Sequence, residues 1–321
     1  MNDYELNYSE SITVNDEIMN IRVLARKCGL PVMLFLHGGP GVCDRHWVIE
    51  KQSELAEKFT MVCWDQRGSG KSYNKNIRKQ QLTVDDYVED VGFMLDYLTG
   101  KFGVRKVVLE GHSWGSVLGV LAAVRYPDKI AAYIGQGQFV DGWKNEELSH
   151  RFCVEEAQKA GEKKTAEKLK ANPPVKGEYP SQKAMMLQRD CLVRYGGSDY
   201  NHRDGLVKSL LLPLLKTKEY TLGDVAKYAR GALYLSDYLW GQVVNYHFGE
   251  TVKKLEVPVI ITQGKHDYNT PSELAKEWFD ALDAPFKKWI WFENSAHSPI
   301  KEESEKWGRE VVTALAEIGI G

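Results

Sequence analysis

Six short runs in this chain are continuously apolar, and they constrain its fold more than any other feature. They are VMLFL (Val32–Leu36), FTMVCW (Phe59–Trp64), KVVLE (Lys106–Glu110), IAAYI (Ile130–Ile134), VPVIIT (Val257–Thr262) and KWIWF (Lys288–Phe292). A strand with one wet face alternates apolar and polar residues, whereas a continuous run belongs to a strand covered on both faces, as crossover helices cover a parallel sheet. Most of the runs lead through Gly into a helical period, so the pattern predicts a mostly parallel, doubly wound α/β sheet. Helices are predicted over Val84–Leu98, Trp114–Tyr126, Ser272–Leu282 behind Pro271, and Glu302–Ile318. Ahead of the first run, Ser11–Val14 and Ile18–Arg26 flank the turn pair Asn15–Asp16 and read as an antiparallel hairpin.

At 321 residues the chain exceeds the length at which one core stops growing, which points to one large domain carrying an insertion. The strand rhythm stops between Ile134 and Val257. Helix formers such as EEAQKAGEKKTAEKLK (residues 155–170) replace it, broken by Asn172, Pro173 and Pro174. Alternating acids and bases there read as a solvated helical face.

Composition narrows the function classes. Hydrophobic residues at 43% and charged residues at 27% suit a packed globular chain rather than a disordered one. Lys and Arg number 42 against 44 Asp and Glu, leaving no electrostatic footprint for nucleic acid or an anionic lipid surface. No basic region leading into an apolar stretch opens MNDYELNYSE, and no run of about 18 apolar residues follows, so a cytoplasmic chain is expected. The five cysteines (Cys28, Cys43, Cys63, Cys153, Cys191) are scattered and never in CxxC spacing, which predicts free thiols rather than disulfides or a thiolate metal site.

The segment KVVLEGHSWGSVLGVLAAVRY places G-x-S-x-G (Gly111 to Gly115) between a buried strand and a helix. The bare pattern arises by chance in about one chain in ten of this length, so the context carries the argument. A strand running straight into a helix needs a sharp turn, which puts Ser113 at its tip above the carboxyl end of the sheet. A serine hydroxyl needs a base to take its proton. In such an architecture the acid and then the histidine follow the serine in sequence. Asp267 fits as the acid, in the turn of VPVIITQGKHDYNTP between a buried strand and a proline-started helix. Asp280 and Asp283 also follow the serine but belong to a helix and its end. Of eight histidines, His297 alone lies beyond Asp267, in the loop ENSAHSP. For the developing oxyanion, HGGPG (His37–Gly41) can supply one backbone N–H, from a neighbour of Pro40, and Trp114 another. DQRGSGKS (Asp65–Ser72) ends like a phosphate-binding loop, but Asp65 stands where such a loop needs its first Gly, and no apolar helix follows.

Together these motifs (HGGPG, DQRGSGKS, GHSWGS, GKHDYNTP and SAHSP) resemble those of the proline iminopeptidase group of α/β-hydrolases, over roughly residues 30–135 and 255–310. The resemblance implies an α/β-hydrolase fold with a triad of Ser113, Asp267 and His297 and oxyanion donors from Gly39 and Trp114. It implies a core of residues 1–138 and 251–321, with a helical lid of residues 139–250 after the sixth strand. Family aminopeptidases hold the substrate's α-amino group with lid carboxylates and often a Glu after the catalytic Asp. Here Tyr268 follows Asp267, and the motifs assign none of Glu219, Asp224, Asp237 and Glu250 to that task.

The expected chemistry is cofactor-free and metal-free acyl transfer to water on a small-molecule or short-peptide amide or ester. Release of N-terminal proline is the best single case and a carboxylesterase the alternative. Nucleic acid and membrane are not expected as partners, and a non-catalytic receptor has no need for Asp267 and His297 together. Composition leaves the oligomeric state open.

Overall fold

The computed structural model describes residues 4–201 and 203–321. Eight strands form one sheet: β1 (Leu6–Val14), β2 (Glu17–Ala25), β3 (Val32–Leu36), β4 (Thr60–Asp65), β5 (Val107–His112), β6 (Ile130–Gln136), β7 (Val259–Gly264) and β8 (Lys287–Phe292). Their order across the sheet is β1-β2-β4-β3-β5-β6-β7-β8. The hairpin β1–β2 pairs antiparallel through Asn15 and Asp16, both at positive φ as a tight two-residue turn requires. β2 joins β4 antiparallel, and the pairs from β4 through β3, β5, β6 and β7 to β8 are parallel.

Among the described residues the α-helices are α1 (Arg45–Lys51), α2 (Val84–Phe102), α3 (Trp114–Arg125), α4 (Gly142–Lys159), α5 (Lys163–Lys170), α6 (Gln182–Arg194), α7 (Leu206–Lys216), α8 (Leu222–Val243), α9 (Phe248–Thr251), α10 (Ser272–Ala281), α11 (Pro299–Glu302) and α12 (Ser304–Ala316). Two-sided burial explains the continuous apolar runs. In β3, Val32, Leu34 and Leu36 enter the core shared with α2, α3 and α10, while Met33 and Phe35 enter the opposite core with Trp307 and Val311 of α12. Thr83 starts α2 with a capping box to Asp86.

Helices α4 to α9 all fall between β6 and β7, the stretch where the strand rhythm stops. Residues 155–170 are not one helix. Gly161, at φ 72°, lies between α4 and α5, and Ala157, Ala166 and Leu169 turn inward while most of their charged neighbours stay wet. The predicted helix over Glu302–Ile318 is likewise divided at Glu303 into α11 and α12. Leu235, Leu239 and Val243 of α8 join the main core, so the insertion is anchored on the sheet side as well as within itself. The described cysteines are free, with Cys28 exposed and the other four buried. No described helix is long and apolar enough to cross a membrane.

Candidate active site

β5 ends at His112 and α3 begins at Trp114, so the whole reversal falls on Ser113, at φ 55° and ψ −116°. A residue with a side chain resists that conformation by about 1–3 kcal/mol, which surrounding bonds must offset. The Ser113 N–H donates to the Gln136 carbonyl at 2.9 Å, and the Ser113 carbonyl accepts from the N–H and the hydroxyl of Ser116 at 2.8 and 2.6 Å. Close approach does the rest. A Cβ on Gly115 would lie 1.9 Å from the Leu36 carbonyl oxygen, so the start of α3 can press against the end of β3 only with glycine there.

Asp267 follows β7 and His297 follows β8, both at the carboxyl end of the sheet. The Asp267 Oδ2 accepts from His297 Nδ1 at 3.0 Å, from Gln263 at 2.8 Å and from the Thr270 hydroxyl at 2.9 Å. Its Oδ1 accepts the N–H groups of Asn269 and Thr270 at 2.8 and 2.9 Å. Five donors thus fix a fully buried carboxylate beneath the imidazole. His112 braces the same ring from the other side, with Nε2 3.1 Å from the His297 carbonyl and the rings 4.9 Å apart. Behind it stands Gly137, where a Cβ would come within 2.8 Å of His297 Nδ1. Asp267 and His297 are joined by a hydrogen bond, whereas Ser113 and His297 meet as neighbours on the wall of one cavity.

HGGPG lies against this centre, with Gly38 and Gly39 on that wall and a cis bond between Gly39 and Pro40. The DQRG segment, dismissed as a phosphate loop, holds it there. Gln66 donates its N–H to His37 Nε2 at 3.1 Å and its side-chain NH2 to the His37 carbonyl at 3.2 Å, while its Oε1 accepts the Trp114 indole N–H at 2.9 Å. His37 Nδ1 accordingly donates to the Gly38 carbonyl at 2.8 Å, and burial pulls this imidazole's pKa down. Arg67 is doubly bonded to Asp90, and Asp65 takes Arg45 at 2.6 Å and the Tyr220 hydroxyl at 3.0 Å. These roles escaped the sequence because each needs a partner 20 or more residues away.

Two cavities meet at Ser113. The larger, about 260 Å³, runs past His112 and His297 under α6, α7 and α8. The smaller, about 70 Å³, is bounded by Trp114, Phe139, Trp240, Val243 and Thr270, with Asn145, Glu146, Arg189 and Asn269 as its other polar groups. Glu146 of α4 is 1% exposed, and both its carboxylate oxygens accept from Nη2 of Arg189 of α6, at 2.8 and 2.9 Å, with the Asn145 amide donating to its Oε1 at 3.1 Å. Burial alone would depress the Arg189 guanidinium, yet the Glu146 carboxylate holds its pKa above the ordinary arginine value. None of the four acids weighed in the sequence lines either cavity. Glu219 pairs with Arg22, Asp224 caps α8, and Asp237 and Glu250 face solvent. Glu146 sits in the polar stretch KNEELSH, and only its pairing with Arg189 across 43 residues marks it out.

With the elbow, the paired acid and histidine and the eight-stranded sheet in place, the comparisons with known proteins agree with the architecture. Residues 31–303 match the family described as alpha/beta hydrolase fold, and the chain belongs to that family. It is a hydrolase with aminopeptidase-like relatives. Over 276 residues, 85% of each chain, it is 33% identical to the probable aminopeptidase YbaC of Bacillus subtilis strain 168. It is 24% identical to a proline iminopeptidase of Lactobacillus helveticus over 89% of this chain and 90% of that one. The crystal structure of a proline iminopeptidase from Mycobacterium smegmatis superposes with a TM-score of 0.65, covering 97% of this chain and 98% of the other at 16% identity.

Proposed function

We propose that this chain releases one N-terminal residue bearing a free α-amine from a short amide or peptide, with proline the best single case. The observation that carries this reading is Glu146, a buried carboxylate in the small cavity beside Ser113. A carboxylate has about four lone-pair directions. The Arg189 Nη2 reaches both oxygens and Asn145 reaches Oε1, so Oε2 has one bond of these and can accept an ammonium N–H in competition with the neighbouring Tyr179 hydroxyl. Phe139, Trp240 and Val243 give the same cavity apolar walls for a small side chain or a proline ring.

In this mechanism Ser113 attacks the scissile carbonyl while His297 takes its proton and Asp267 orients the ring. The N–H groups of Gly39 and Trp114 receive the oxyanion. His297 then protonates the leaving nitrogen, and a water activated by the same ring frees the amino acid. Residues 139–250 act as the lid that walls the site.

The test compares prolyl p-nitroanilide with its N-acetyl form. The expected result is a collapse of kcat/KM on acylation, because the acylated nitrogen has no ammonium N–H to give the remaining acceptor position of Glu146. Equal rates on both, or faster hydrolysis of a simple acetate ester, would replace this reading with a carboxylesterase.

A further inference from the structure

The two cavities differ in more than size. Deacylation and amine departure both need His297, so the leaving group must depart along the cavity that His297 lines. That is the larger one; His297 is absent from the described lining of the smaller. The acyl residue therefore occupies about 70 Å³ and the leaving group has about 260 Å³.

The wall of the larger cavity is chiefly aliphatic, with Met185, Met186, Leu192, Leu206, Leu210 and Leu233 supplied by α6, α7 and α8. Its apolar character continues into solvent, since Met186 is 36% and Leu233 57% exposed. Exposed apolar side chains at the rim of an apolar cavity favour an occupant that is itself apolar and long enough to reach them. The cations described on this wall are already engaged. Lys301 is paired with Asp199 at 2.5 Å, and Arg189 holds Glu146. A peptide leaving group would bring a terminal carboxylate into this space and find the Lys301 and Arg189 cations of the described lining already paired.

Resting on the aminopeptidase reading above, we propose that the substrate is an aminoacyl amide of a large, uncharged, apolar amine rather than a peptide ending in a carboxylate. The balance is that of hydrolysis. The C–N bond breaks, the Ser113 ester forms while the amine leaves with the proton held by His297, and one water then yields the free amino acid and regenerates the hydroxyl.

The experiment measures kcat/KM for prolyl n-butylamide, n-hexylamide and n-octylamide beside the dipeptide prolyl-leucine and its C-terminal amide. If each added methylene leaves water for the cavity, kcat/KM rises about three- to fourfold per methylene until the mouth is reached. Prolyl-leucine amide is expected to outrun the free dipeptide. Leu233→Glu, at an exposed rim position that leaves the core untouched, should narrow the octylamide-to-butylamide ratio. A flat alkyl series, or a dipeptide cleaved better than its amide, would overturn the proposal. The N-acetylprolyl octylamide separates it from the reading beneath: a length dependence that survives N-acetylation at full rate overturns the amine-reading role of Glu146 and leaves the apolar leaving-group site standing.

Discussion

Ser113 is held in its left-handed conformation by backbone bonds rather than by its own side chain, so removing the hydroxyl leaves the turn intact. Ser113→Ala is therefore expected to fold normally and lose about a millionfold in kcat. A fluorophosphonate that labels some other residue, or turnover that outlives the substitution, would show the nucleophile to be elsewhere. Glu146 combines reading and structure, and two variants separate them. Glu146→Ala strands the Arg189 guanidinium and should cost about 3–5 kcal/mol in denaturant unfolding. Replacing the pair together, Glu146→Leu with Arg189→Met, should recover most of that stability while discrimination between prolyl and N-acetylprolyl p-nitroanilide stays lost. His46 supplies the pH dependence. Buried between Trp47 and Tyr220 with no described partner for either ring nitrogen, it has its pKa lowered by burial to about 4. The unfolded chain binds that proton from about pH 6.5 downward while the native chain refuses it until about pH 4. Stability on this account falls as pH drops through that window, by up to about 3 kcal/mol. The buried carboxyls of Glu110 and Glu302, raised by burial, push the opposite way at low pH. The measurable quantity is thus the difference between wild type and His46→Phe, which should grow in the variant's favour from pH 7 to pH 4. A difference independent of pH would mean that His46 does not titrate as its burial requires.

At the scale of elements, the elbow depends on β3 and α3 touching through Gly115. Gly115→Ala forces a methyl group into the Leu36 carbonyl and must push the two apart, an overpacking that costs about 1–3 kcal/mol or more. Its thermal midpoint should drop and its activity should fall further than the stability loss accounts for, because the HGGPG loop proposed to receive the oxyanion follows directly on the end of β3. Six strands were legible because burial on both sheet faces writes itself into consecutive residues, and the hairpin because the Asn15–Asp16 turn marks it, while the helix read over Glu302–Ile318 is two. Strand order was not, since β3 and β4 exchange places through pairing that no local pattern records. Ser113, Asp267 and His297 were legible as a sequence order, and the structure adds the Asp267–His297 bond. Glu146 was not, because a buried ion pair between two polar helices looks, in one dimension, like two solvated faces. The same blindness made one helix of residues 155–170, where Gly161 lies between two and Ala157 and Leu169 are buried.

At the scale of the molecule, the chain order places Ser113 before the insertion and Asp267 and His297 after it, so in sequence the insertion looks dispensable to the triad. Its contacts indicate otherwise. The loop after α6 runs between the two C-terminal loops of the site, its Gly197 carbonyl accepting the Tyr268 N–H at 2.8 Å and its Ser198 carbonyl the His297 N–H at 3.2 Å. The Tyr200 N–H reaches Glu302 at 2.6 Å, and Glu302 in turn accepts from Ser295 and Ala296 beside the histidine. Asn145 of α4 donates to the Asn269 carbonyl at 2.9 Å, next to the Asp267 turn. Excising residues 140–250 therefore removes four ties on the Asp267 and His297 loops together with the apolar anchors Leu235, Leu239 and Val243. With about 1 kcal/mol for each lost bond, the ordered arrangement of the two loops becomes several kcal/mol less favourable. The deletion variant is expected to keep strand signal in circular dichroism but to label with fluorophosphonate at least about a hundredfold more slowly than the intact chain. Asn145→Ala, which removes the amide's bonds to the Asn269 carbonyl and to Glu146 while leaving the other three ties, should give a graded fall in kcat with little loss of sheet stability. Labelling of the deletion variant at the intact rate would mean that the core alone assembles the relay, and that the insertion serves only to wall in the substrate.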